Sequence, residues 1–95
     1  MMTHGENTQF MKNLHDGINF ESRRNYEFAI DRYTTAFNIA RAADDAASKT
    51  PFTKIRVCEA IMKGVEPDYN AIEEEYEYLE ERNFKGFSFD SDNIM

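Results

Sequence analysis

Small and aromatic residues alternate through Gly17, Phe20, Tyr26, Ala29, Tyr33 and Ala36, and this alternation constrains the fold more than any other feature. Residues three and four apart share one face of a helix. Gly17 and Ala29 therefore let two helix backbones approach, while Phe20, Tyr26 and Tyr33 fill the gaps on either side. A glycine inside a helix costs about 1 kcal/mol relative to alanine, so Gly17 requires such a packing reason. The turn between the two helices falls at Arg23-Arg24-Asn25, with Asn25 a fair N-cap.

The same periodicity runs through most of the chain. Residues 1–8 show no pattern and are expected to be disordered. A first helix is expected over residues 8–23, with Phe10, Leu14 and Ile18 on one stripe, and a second over residues 26–47. The alanine-rich end of the second, residues 40–47, has high helix propensity but little to bury, so fraying is expected there. Thr50 before Pro51 reads as the N-cap and first residue of a third helix over residues 51–63, stopped by Gly64. Phe52, Ile55, Cys58, Ala60, Ile61 and Met62 are expected to face mostly inward. A fourth helix is expected over residues 67–82, with Tyr69, Ile72, Tyr76 and Leu79 on one face. Strand-like alternation never exceeds a few residues. The expected fold is all-α: about four helices in two antiparallel helical hairpins, forming a single domain over residues 9–82, with a short aromatic C-terminal tail over residues 83–95.

From Gly17 to Ala36 the pattern resembles the tetratricopeptide repeat, a helix–turn–helix unit of 34 residues. Gly17 stands at that family's small position, Phe20 at its first aromatic and Tyr26 at the aromatic opening the second helix; Ala29, Tyr33 and Ala36 complete the match. A weaker copy places Ala60, Tyr69, Ile72, Tyr76 and Leu79 at similar spacings, so the resemblance covers about residues 10–82. Departures are Asp16 in place of a large apolar residue, Arg41 in place of a helix-ending proline, and Lys63 in place of an aromatic. Ile18 occupies the position where the clamp for peptide C-termini uses asparagine, which removes that binding mode. The resemblance implies a protein-binding scaffold. Two units are few for a solenoid, so self-association or an extra contact from the tail is expected.

Charge is unevenly distributed. The net charge of −7 lies in the last third: residues 66–95 carry ten acidic side chains against Arg82 and Lys85, whereas residues 1–65 are nearly balanced. Such a tail repels phosphate backbones, which makes direct nucleic-acid binding through it unfavourable and suits a basic partner. No apolar run approaches the roughly 20 residues that cross a bilayer. With no secretion signal visible and a single cysteine, Cys58, a reducing cytoplasm is the expected compartment.

Chemistry-bearing patterns are few. His15 beside Asp16 does not make an oriented base, because adjacent helical residues point apart. Cys58 lies among Ile55, Ile61 and Met62 and reads as a buried, inert thiol. Asp44-Asp45 and Glu73-Glu74-Glu75 lack the loop and histidine partners of a metal site, so neither a metal nor a cofactor is expected. Arg23, Arg24, Arg32, Lys54 and Arg56, with Lys49, form a candidate anion-binding cluster. The candidate partner-binding set is Tyr69, Glu73, Glu74, Glu77, Tyr78 and Glu81 together with the tail aromatics Phe84, Phe87 and Phe89. Tyr78, turned away from the Tyr69–Tyr76 stripe and framed by carboxylates, has the character of a hot spot for a basic, partly apolar surface. The expected function is a small non-catalytic protein–protein interaction module or adaptor. The alternatives are an acidic inhibitor that mimics nucleic acid, and a nucleotide or small-anion sequestering protein using the basic cluster.

Overall fold

A computed structural model describes residues 1–82; the tail residues Phe84, Phe87 and Phe89 lie outside the described residues. The fold is all-α. Helices α1 (His4–Ser22) and α2 (Tyr26–Ala42) form one antiparallel hairpin, and α3 (Lys49–Met62) and α4 (Tyr69–Glu81) form a second. No strand occurs among the described residues.

The chain is ordered earlier than its weak N-terminal pattern indicates. Helix α1 begins at His4, inside the stretch expected to be disordered, because Thr3 and Glu6 make a capping box. Thr3 Oγ1 accepts from the Glu6 amide at 3.1 Å, and Glu6 Oε1 accepts from the Thr3 amide at 2.8 Å. The Met1 ammonium also donates to the Ala43 carbonyl, and the Met2 amide to Asp45 Oδ2, tying this end to the far end of α2.

Helix α2 is the central element, with α1 and α3 both packed on it. Ala29, Tyr33, Ala36, Phe37 and Ala40 are all fully buried. Toward the α1–α2 turn, Tyr33 and Ala29 meet Ile55 and Cys58, with Leu14 and Phe20 against them; toward the other end, Ala36 and Ala40 meet Phe10. The Gly17 backbone lies against the Tyr33 ring, so closely that an added Cβ would sit 2.5 Å from the ring edge.

The end of α2 corrects two expectations. Ala40 and Arg41 are buried, so this stretch does not lack burial. The helix stops at Ala42 rather than running to residue 47: Asp44 turns to a positive φ of 55°, and the Asp45 and Asp44 amides bond back to the Ala40 and Arg41 carbonyls. A 3-10 turn, Ala46–Ser48, then leads directly into α3, with Asp45 Oδ1 accepting from the Ala47 amide at 2.9 Å. Thr50 is consequently not an N-cap but lies within α3. Pro51 sits one position further on, still in the first turn, where a missing N–H costs no helical bond. Ile61 and Met62, expected inward, are exposed at the end of α3.

Helix α4 begins at Tyr69, because the Asp68 carboxylate accepts from the Ala71 amide at 3.1 Å and so caps it. Its Ile72 and Tyr76 are buried against Phe37 and Phe52, with Val57 and Leu79 alongside. Tyr69, one turn earlier, is 60% exposed and does not belong to the buried stripe.

Helices α1, α2 and α3 all end in the same way, with a left-handed residue whose amide and that of its successor bond back into the last turn. At α3 that residue is Gly64, but at α1 it is Arg24, with φ of 62°. A Cβ in this region is unfavourable by about 1–2 kcal/mol, and glycine relieves it at some cost in unfolded-chain entropy. Arg24→Gly is expected to stabilise the protein by about 0.5–1 kcal/mol, read as a raised urea midpoint at unchanged slope.

Candidate partner-binding face on the fourth helix

Helix α4 is two-sided. Turning Ile72 and Tyr76 inward places Glu74, Glu77, Tyr78 and Glu81 on the opposite face, all four exposed. They stand at i, i+3, i+4 and i+7, the spacing of one helix face. Glu74, Glu77 and Glu81 have no ion-pair partner among the described residues. Tyr78 is 54% exposed, and the Arg82 guanidinium lies 4.6 Å from its ring centroid, a cation–π contact. Glu77, Glu80 and Glu81 line a shallow, open notch beside it.

The acidic run divides by side rather than acting as a block. Glu73 accepts from Lys49 Nζ at 2.7 Å. Glu75 receives a two-pronged guanidinium from Arg56, Nε to Oε1 at 3.0 Å and Nη2 to Oε2 at 2.7 Å. Glu74 remains in solvent. Glu73 therefore belongs to the attachment of α4 rather than to its outer face, a division set by the direction from which α3 approaches.

Three of the candidate anion-binding residues, Arg32, Lys54 and Arg56, are engaged separately. Arg56 also holds Glu59 at 2.8 Å and lies over the Phe52 ring. Lys54 lies over the Tyr33 ring, and Arg32 over Phe20 with Asp31 at 4.0 Å. Arg23 and Arg24 are exposed at the α1–α2 turn. The other titratable candidates are likewise apart: His15 is exposed while Asp16 pairs with Lys12 at 3.0 Å, and no group of three or more His, Cys, Asp or Glu suited to a metal occurs among the described residues.

One polar group escaped the sequence reading. Arg41, 1% exposed, lies under α4, with Nη1 3.5 Å from both Ser48 Oγ and Glu80 Oε2. Ser48 Oγ and the Tyr76 hydroxyl share a 2.7 Å hydrogen bond, and Tyr76 also reaches Glu80 at 3.4 Å. A signal was present: Arg41 continues the buried Tyr33–Phe37 stripe at four-residue steps. Its charge argued against burial, but a buried cation with hydrogen-bonding partners is tolerated.

Cys58 is fully buried, and burial pushes its thiol from the ordinary 9.0 up to about 12, with Glu21 acting in the same direction. Burial also raises the Tyr33 hydroxyl above its ordinary 10.0, helped by its 2.6 Å hydrogen bond to Glu21. Both groups keep their protons to higher pH in the folded chain than in the unfolded one. Their stabilising effect is complete below pH 9 and declines as pH rises toward 12. Urea unfolding above pH 9 is expected to show stability falling by up to about 1.4 kcal/mol per pH unit for each such group, and Cys58→Ala is expected to flatten the first part of that fall.

Comparison of the chain with protein-family models, with curated proteins and with solved structures finds no match. Among the described residues no helix is long and apolar enough to cross a membrane.

Proposed function

We propose that this protein is a small, non-catalytic, cytoplasmic protein–protein interaction module that binds a basic partner surface through the outer face of α4. The observation that carries the reading is the exposed Tyr78 set among Glu74, Glu77 and Glu81, three carboxylates with no ion-pair partner among the described residues. The ring offers apolar area at low conformational cost, and the carboxylates select and steer a cationic surface. Arg82 stacked on the ring illustrates the side chain that such a partner would bring.

The scaffold reading extends to α1 and α2. The contact of Gly17 with Tyr33 and the full burial of Ala29 and Ala36 support a tetratricopeptide-like hairpin. The second pair is looser, since Ala60 is only half-buried and α4 packs on Phe37 and Phe52 instead.

The test compares proteins captured from lysate by the native chain and by Glu74→Lys/Glu77→Lys/Glu81→Lys. A partner lost by the variant, and lost from the native chain as salt is raised, supports the reading. A partner held equally by both places binding elsewhere. A second reading, mimicry of nucleic acid, draws on the same three carboxylates, which step along the helix by roughly 4.5 and 6 Å. Salt-sensitive capture of polymerases or nucleases would favour it.

A further inference from the structure

We propose that the α2–α3 surface beneath α4 is an exchange surface: it accepts the α4 of a second copy of this chain in place of its own, giving a dimer with reciprocally swapped fourth helices. The argument concerns the inner face of α4 and does not depend on the reading of its outer face.

The described contacts that hold α4 come from α2, α3 and the 3-10 turn between them. Ile72 and Tyr76 sit on Phe37 and Phe52. Glu73 pairs with Lys49, Glu75 with Arg56, and the Tyr76 hydroxyl with Ser48. These are side-chain contacts between α4 and residues 37–57. None passes through the connecting residues 63–68, which are exposed apart from half-buried Pro67. A second copy's α4 brings the same four side chains, Ile72, Glu73, Glu75 and Tyr76, and satisfies the same surface.

Release leaves both parts in need of a partner. A helix of 13 residues is marginal alone in water. Its departure takes Ile72 and Tyr76 off Phe37 and Phe52, which are fully buried when α4 is in place. The apolar steps at Ile72 and Tyr76, flanked by the carboxylates of Glu73 and Glu75, match the Phe37–Phe52 surface flanked by Lys49 and Arg56. The exchanged and unexchanged forms therefore contain the same contacts, and concentration and the connecting segment set their balance.

Complementary charge reversal tests the exchange in the full chain. One variant carries Lys49→Glu/Arg56→Glu, the other Glu73→Lys/Glu75→Arg, so within a single copy of either one like charges face each other. Each alone is expected to be monomeric, with α4 amides unprotected in hydrogen exchange. An equimolar mixture is expected to give a 1:1 dimer by light scattering, with α4 protection raised at least tenfold, because each body then meets an α4 of opposite charge. A mixture that remains monomeric, with α1–α3 protected in both variants, overturns the proposal. If either variant loses protection in α1–α3, the native chain lacking residues 63–67, which keeps the Asp68 cap of α4, decides. Joining α3 to α4 there prevents α4 from folding back, so a dimer with protected α4 amides supports exchange, and any other assembly overturns it.

Discussion

Replacing Phe52 with alanine is expected to lower the unfolding free energy by about 3–5 kcal/mol. Phe52 is fully buried where three helices meet. Its ring lies 5.8 Å from Phe37 of α2 and 5.5 Å from Tyr76 of α4, and the Arg56 guanidinium sits 5.3 Å above it. Truncation removes buried apolar area and leaves a cavity that three differently oriented helices cannot close together. It also removes the apolar support of the Arg56–Glu75 pair, so α4 loses two of its attachments at once. For a domain with about 5–15 kcal/mol of total stability, a loss of this size leaves a substantial unfolded population. Urea denaturation followed by circular dichroism measures it. Tyr76→Phe, which removes only the hydroxyl bonded to Ser48, serves as the contrast and is expected to cost about 1 kcal/mol. A loss near 1 kcal/mol for Phe52→Ala would show that this junction repacks.

Gly17→Ala is expected to destabilise the protein even though alanine is the better helix former. The added Cβ would lie 2.5 and 2.6 Å from two edge atoms of the Tyr33 ring. That ring cannot swing aside: it is fully buried, Ile55 and Cys58 lie in the same cluster, and its hydroxyl is held by Glu21 at 2.6 Å. Forcing one carbon into such a site costs about 1–3 kcal/mol, against about 1 kcal/mol gained in helix propensity. The expected net loss is up to roughly 2 kcal/mol, larger for Gly17→Val, whose branched side chain adds volume. A double-mutant cycle with Tyr33→Leu isolates the clash. The extra cost of alanine should vanish once the ring is gone, and a cost that persists would trace the effect to the helix itself.

Periodicity located the helices because burial on one face leaves a repeating mark, and the Gly17–Tyr33 contact was legible because only a backbone approach explains a glycine there. The helix ends were less legible. Thr3 and Glu6 did carry a readable capping signal, three residues apart. Thr50-Pro51 carried a misleading one, since the 3-10 turn ahead of α3 had already started the helix. The acidic side chains of α4 were evident from composition. That Glu73 and Glu75 turn toward Lys49 and Arg56, while Glu74 does not, depends on how α4 crosses α3, and no local pattern records a crossing. The burial of Arg41 was hidden for the same reason: its partners Ser48 and Glu80 come from two other elements, the 3-10 turn and α4.

The left-handed stops at Arg24, Asp44 and Gly64 also bear on the speed of folding. By reversing the chain within a few residues, they make helices that follow one another in sequence neighbours in space. Chains dominated by such local contacts reach their native state in microseconds to milliseconds. The α1–α2 hairpin, closed by the shortest connection and by the Gly17–Tyr33 contact, is the natural nucleus. Gly17→Ala should then slow refolding, whereas substitutions beneath α4 should chiefly hasten unfolding.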